Sequence, residues 1–218
     1  MTKFSSVDPD LDRRRFVHAA LGVTVGVSGL SFLTIIGSAR PVTRETPDRL
    51  PPTSGDVLVH AEGDQTGMPV DPGTLTPQPT RAYPQGVVAG QPVVKSGDPD
   101  NLLLISRFPV AALRPPTDLQ AAPEGIVVYS AACQHLGCPV GWKNQDETYL
   151  CPCHSGNYDP KRGCTVIGGP PPRPLPQLPV TLRGGQLIAT ATFLTPPYGV
   201  SDQDFDTYIR RSEMTEKP

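Results

Sequence analysis

Cys133-Gln134-His135-Leu136-Gly137-Cys138 and Cys151-Pro152-Cys153-His154-Ser155-Gly156 are the two stretches around which the chain is organised. They hold four of the five cysteines and two of the four histidines. Each supplies one cysteine and one histidine as candidate metal ligands: Cys133 and His135 from the first, Cys151 and His154 from the second. Cys138 and Cys153 remain as a second pair. Two thiolates and two imidazoles can hold a structural zinc, or a [2Fe–2S] cluster with cysteines on one iron and histidines on the other. Zinc fingers draw cysteines from one element and histidines from another. Here both loops are mixed, which suits a binuclear cluster. A disulfide between Cys138 and Cys153 would pin the loops together, and the glycines and Pro152 suit loops bent tightly round an inorganic core.

The two boxes, CQHLGC and CPCHSGNYD, together with GGPPPRPLPQL at 168–178, resemble the cluster loops and proline loop of the Rieske iron–sulfur proteins. The resemblance covers roughly Gly55 to Gly199 and is closest to the Rieske subunit of quinol-oxidising cytochrome bc-type complexes. It implies an all-β fold: an antiparallel β sandwich with a small inserted cluster-binding subdomain, preceded by one N-terminal transmembrane helix. It also implies one [2Fe–2S] cluster, with Cys133 and Cys151 on one iron, His135 and His154 on the other, and a Cys138–Cys153 disulfide. His154 is implied as the quinol contact, and Leu136, Ser155, Tyr158 and Pro170 as tuning or shielding residues. The partners implied are membrane quinol and the cytochrome b-type and c-type subunits of the complex.

One departure from the family pattern bears on the reduction potential. The family continues its second box His-Gly-Ser, with a serine that hydrogen-bonds a bridging sulfide; here the order is His154-Ser155-Gly156. Gly156 cannot make that bond. Tyr158 matches the family tyrosine aimed at a ligand sulfur. The expected potential therefore lies below the top of the Rieske range of roughly −150 to +300 mV.

The remainder of the 218 residues fits this frame. Nineteen basic against 21 acidic residues exclude a nucleic-acid footprint. With 28 prolines, 21 glycines and 6% aromatics, the chain reads as loop-rich and β-rich rather than helical. Asp12-Arg13-Arg14-Arg15-Phe16-Val17 resembles a twin-arginine export signal, and Phe16 to Ala39 contains no Asp, Glu, Lys or Arg. As helix, Phe16 to Ile36 would run about 31 Å, enough to span a bilayer. The organisation expected is a cytoplasmic N-terminus (1–15), a transmembrane anchor (16–39), a proline-containing tether (40–55), a soluble domain (56–199, cluster-binding part about 131–173) and a polar tail (200–218). That places a single-pass protein in the inner membrane with its head on the periplasmic side.

Strands are predicted at Asp56–Ala61, Leu102–Phe108 and Ile126–Ser130, with short ones at Val87–Val88 and Val93–Val94. Gly184-Gly185 marks a hairpin between Val180–Arg183 and Gln186–Ala191. Met68 to Tyr83 reads as loop, and Cys164 as a small buried residue.

The function expected is electron transfer from quinol to a c-type cytochrome, as the iron–sulfur subunit of an oxidoreductase. An alternative is the small Rieske subunit of a periplasmic molybdenum oxidase such as arsenite oxidase. A ring-hydroxylating oxygenase would need two more histidines for a mononuclear iron, and only His18 and His60 remain. A zinc-stabilised binding module would be colourless.

Overall fold

The structure, a computed structural model, describes residues 15–18, 21 and 46–213. The chain divides after Arg44, and of the first unit the described residues are all helical. The predicted anchor therefore falls almost wholly outside the described residues. Among those described, no helix is long and apolar enough to cross a membrane. The second unit carries the cluster loops.

Its described residues contain eleven short strands in two antiparallel sheets, all-β as expected, but the larger sheet closes on itself where a sandwich was predicted. The larger contains β1 (Val57–His60), β2 (Thr80–Val88), β4 (Leu103–Arg107), β5 (Ile126–Ser130), β10 (Val180–Arg183) and β11 (Gln186–Ala189) in the order β10-β11-β1-β2-β4-β5, with β3 (Gln91–Val94) on β2. Its two ends meet. The segment before β10 pairs with β5, Ser130 N–H donating to Pro176 O (3.0 Å) and Leu178 N–H to Val128 O (2.8 Å). The path thus curls into a barrel, whose interior is filled by Leu58, Leu103, Ile105, Ile126, Val128, Leu178 and Leu187.

Side chains alternate across a strand, so β4 and β5 present a second face. That outer face, Leu104, Val127 and Tyr129, joins a separate core with Tyr149, Cys151, Tyr158 and Cys164 from the small sheet. The small sheet is a meander of β6 (Gly141–Lys143), β7 (Thr148–Cys151), β8 (Gly156–Asp159) and β9 (Thr165–Gly168). Burial on both faces explains why β4 and β5 read as unbroken apolar runs instead of alternating. Each fully buried side chain of this size contributes about 1.5–3 kcal/mol, more than the whole span of strand propensity, so packing decides these elements.

The Gly184-Gly185 hairpin forms as predicted, both glycines at positive φ (+58° and +78°) as a two-residue turn of this hand requires. One expectation is corrected, and two segments gain detail that the sequence did not show. Thr80 to Tyr83 is not loop: β2 starts at Thr80 and runs through Pro84, whose carbonyl accepts from Lys95 N–H (2.8 Å). Its missing N–H is the only thing proline removes from the ladder. The tail from Ser201 contains a helix, α1 (Phe205–Glu213), because Tyr208 and Ser212 are buried and Phe205 packs on the barrel core. And the tether is docked over its described part: Pro51, Pro52 and Thr53 are buried.

A buried ion pair holds that docked segment. Lys95 Nζ lies 2.7 Å from Asp56 Oδ2, both side chains 1% exposed or less. Lys95 also donates to Pro51 O (2.9 Å), and Thr53 N–H donates to Asp56 Oδ2 (2.9 Å). Asn101 Nδ2 donates to Leu50 O and Lys95 O. A Cβ at Gly86 would stand 2.5 Å from Asp56 Oδ1, so that strand position has room only for glycine. Burial pushes the Asp56 carboxyl up and the Lys95 ammonium down, each opposed by the partner's charge.

Both this pair and a second, half-buried carboxylate have measurable consequences. Removing one partner of a buried pair leaves the other uncompensated, so Lys95→Met costs about 3–5 kcal/mol in denaturant unfolding. Lys95→Met with Asp56→Asn costs clearly less; equal losses would remove the pair from its structural role. The second carboxylate is Asp100, in the turn joining β3 to β4. Burial, then Asp98, raises its carboxyl to about 7 against the pull of Arg173. The folded state then holds a proton that the unfolded state has lost between about pH 4 and 7, so stability falls as pH rises through that window. Asp100→Asn should raise the melting temperature at pH 8 by roughly 2–4 °C and leave it unchanged at pH 4.

Candidate metal centre

The four candidate ligands leave the two sheets at one end. The first loop follows β5 and returns into β6; the second joins β7 to β8. Cys133 and Cys151 lie at the base, 2% and 1% exposed, Cys151 being the last residue of β7. His135 is half-buried above them and His154 is exposed. Their Nδ1 atoms face each other at 3.3 Å, the rings nearly perpendicular with centroids 4.7 Å apart. The edge of a tetrahedron around one metal with nitrogens at about 2.0–2.1 Å is about 3.3–3.4 Å, so this separation is one at which two imidazoles could share a metal ion. Nε2 of each ring is left on the far side.

The loops are held in this geometry by several independent contacts. Cys138 and Cys153 form a disulfide that joins them. The first loop closes on itself, Gly137 N–H donating to Cys133 O (2.8 Å) and Cys133 N–H to Cys138 O (2.9 Å). Although the sulfurs of Cys138, Cys151 and Cys153 lie within 4.8 Å of one another, two of them are bonded together. Only Cys151 of the three is free to become a thiolate ligand.

At the base, burial pushes the Cys151 thiol up; the backbone amides of Cys153 and His154 oppose this, while the adjacent Cys133 adds to it. The Cys151 thiol thus resists ionisation unless a cation joins the pair. Two soft sulfurs below and two imidazole nitrogens above are the donor set that a [2Fe–2S] cluster with mixed ligation requires.

Tyr158, on β8, has its hydroxyl 3.2 Å from Cys133 Sγ and 3.2 Å from Gln134 N. The Gln134 amide donates to the hydroxyl, which leaves the hydroxyl's own hydrogen available to the sulfur. Burial, and then this contact with Cys133, raises the phenol above its ordinary value.

The inverted Ser155-Gly156 pair has a steric side that residue order alone did not reveal. Ser155 adopts φ +58°, a conformation that favours glycine. At Gly156 a Cβ would come within 2.6 Å of Pro171 Cγ and 3.5 Å of Cys133 Sγ. So the position where the family serine stands is filled by the buried Pro171 ring. Leu136, 57% exposed, and Pro170 both face outward; the proline pressed on the ligand loop is Pro171. Cys164 is fully buried, and its thiol is pushed well up by burial, in keeping with a packing role. Gln134 and Arg173 escaped the sequence reading: Gln134 is 4% exposed, and its Oε1 accepts from Arg173 Nε at 2.8 Å. An arginine set among the five prolines of the 168–178 loop was the available signal.

Tyr158→Phe tests the sulfur contact. Without the hydroxyl hydrogen bond the reduction potential should fall, and the buried Gln134 amide loses its acceptor, at about 1–3 kcal/mol of stability. An unchanged potential would remove Tyr158 from the tuning set.

Comparison with known proteins bears directly on this centre. Residues 108–179 match the Rieske [2Fe-2S] domain family. A cytochrome bc1 complex Rieske iron-sulfur subunit of Streptomyces lividans is 32% identical over 148 residues, 66% of this chain and 85% of that protein. A Haloferax mediterranei protein, provisionally named as the Rieske subunit of a respiratory nitrate reductase, is 51% identical over 73 residues; the match spans a third of each chain. A solved hyperthermophilic respiratory Complex III contains a chain similar over 79% of this one and 99% of its own length, at 25% identity and a TM-score of 0.36. With the Streptomyces subunit matched over most of its length and the [2Fe-2S] domain falling on the paired loops, the chain belongs to the Rieske iron–sulfur protein family.

Proposed function

We propose that Cys133 and Cys151 hold one iron and His135 and His154 the other, and that the chain is the electron-transfer subunit of a cytochrome bc1-type complex. In that role it accepts electrons from membrane quinol and passes them to a c-type cytochrome, with cytochrome b-type and c-type subunits as its partners. The observation carrying this reading is the pair of converging Nδ1 atoms with His154 exposed above two buried thiols. A bound [2Fe–2S] cluster would supply one-electron exchange.

The chain's own residues do the rest. Nε2 of His154, turned away from the ligand set, can accept a hydrogen bond from a quinol hydroxyl and take its proton. The exposed Leu136 offers an apolar contact beside the first loop's histidine for a partner surface. The disulfide and the short backbone bonds keep the two rings fixed while charge changes beneath them, so little reorganisation accompanies transfer. Both ligand loops, 131–140 and 152–155, are free of Asp, Glu, Lys and Arg, so the tip can meet a non-polar partner without desolvating a charge.

A location on the periplasmic side of the inner membrane, anchored by 16–39, agrees with the export-like Arg13-Arg14-Arg15 stretch and with a disulfide that needs an oxidising compartment. The Streptomyces relative, covered over 85% of its length, supports the bc1 assignment over the small-subunit alternative of a molybdenum oxidase, whereas the Haloferax relative named for a respiratory nitrate reductase is matched over only a third of its length.

A redox titration of the protein across pH, followed by visible absorption and electron paramagnetic resonance, tests the whole reading. Oxidation raises the positive charge next to the imidazoles and favours their deprotonated form, so alkaline conditions favour the oxidised state. The potential should therefore fall with rising pH, approaching about 59 mV per pH unit for each proton released. A colourless, zinc-containing protein would overturn the cluster, and a pH-independent potential would overturn the proton role of the histidines.

A further inference from the structure

Neither ligand loop carries a charged side chain, yet the guanidinium of Arg173 is bonded into the first of them. Arg173 Nε donates to Gln134 Oε1 at 2.8 Å. Its Nη2 donates to Pro197 O and Val200 O, both at 2.9 Å, and Nη1 stands 3.7 Å from Asp202 Oδ1. Three elements meet on one side chain: the first ligand loop, the proline loop and the segment that leads into α1.

Gln134 conveys this contact inward. It lies between Cys133 and His135, its Nε2 donates to Ala132 O (3.2 Å), and its amide donates to Tyr158 OH, which reaches Cys133 Sγ. The same C-terminal segment grips the loop again four residues from Cys133. A Cβ on Gly137 would come within 2.7 Å of the Tyr198 ring, so the loop backbone lies flush on that ring. The segment 197–200 therefore holds the first loop at Gln134, through Arg173, and at Gly137, through Tyr198.

We propose that Arg173 is a positioning residue of the cluster site: it clamps the first ligand loop to the C-terminal segment, and its charge keeps the site's reduction potential higher than the loops alone would set it. The proposal rests on the cluster reading above. The physical basis is simple. An added electron makes the site more negative, and a half-buried cation linked to a ligand sulfur through Gln134 and Tyr158 stabilises that state. Asp202, 91% exposed, is solvated and offsets little of the charge. Only a planar fork serves three acceptors in three directions; a lysine ammonium at the same site cannot.

Two substitutions separate the clamp from the charge. Arg173→Gln removes both, and Arg173→Lys keeps the charge while breaking the fork. Hydrogen exchange of the Cys133 and Gly137 amides is measured on iron-free protein, and the midpoint potential and paramagnetic spectrum on loaded protein. Both variants should speed exchange of these amides about tenfold or more. Arg173→Gln should lower the potential, with Arg173→Lys restoring most of the drop. Wild-type exchange in both variants overturns the clamp, and a wild-type potential in Arg173→Gln overturns the charge effect. If Arg173→Gln fails to fold, Tyr198→Ala decides the clamp by the same exchange measurement at Gly137. A wild-type protein that forms no cluster would refute the cluster reading itself, while the iron-free exchange would still decide the clamp.

Discussion

Leu103, Ile105 and Val128 fill the inside of the barrel while Leu104, Val127 and Tyr129, one residue out of phase, press the small sheet against its outside. The ligands depend on this two-sided burial. Cys133 follows the end of β5 by three residues, and Cys151 closes β7, whose Tyr149 hydroxyl meets Ser106 Oγ on β4 at 2.7 Å. Each thiol therefore inherits its position from a strand anchored in the outer core. A one-residue slip of β5 against β4 would exchange the two faces and turn the first ligand loop away from the second.

Much of the centre was legible because its chemistry is local. Mixed cysteine–histidine boxes, a proline loop and a tyrosine at a fixed offset are read from short windows. So are β4, β5 and the Gly-Gly hairpin, where apolar runs and turn residues speak for themselves. The misreadings have a different cause. β2 was hidden because Pro84 penalises a strand only where its missing N–H is needed, and that depends on partners distant in sequence. α1 was hidden by its charges, although Phe205, Tyr208, Ile209 and Ser212 do recur at helical spacing. Asp56 and Lys95 are 39 residues apart, and nothing near either announces the other. Arg173 reads as a solubilising charge until Gln134 and the 197–200 carbonyls are seen around it.

The exchange of serine and glycine after His154 illustrates how sterics and electrostatics are coupled at such a site. Pro171 occupies the space over Gly156, so the loop gains a close apolar cover next to Cys133 and gives up a hydroxyl there. Shielding and hydrogen bonding act on a cluster in different ways: one lowers the local dielectric, the other supplies a fixed dipole. Here the fixed dipole comes from Tyr158, on the neighbouring strand, whose orientation is set by full burial.

The proline loop leads without a break into the seam where Pro176 and Leu178 pair with β5. On the opposite side the turn after β8 is stitched to the barrel by Arg114 N–H on Lys161 O and by Gly163 N–H on Thr117 Oγ1. The histidine-bearing tip thus has no internal joint. Mechanically, the imidazoles, the barrel, the small sheet and the C-terminal helix are joined as one head, so a displacement of the tip carries the rest with it.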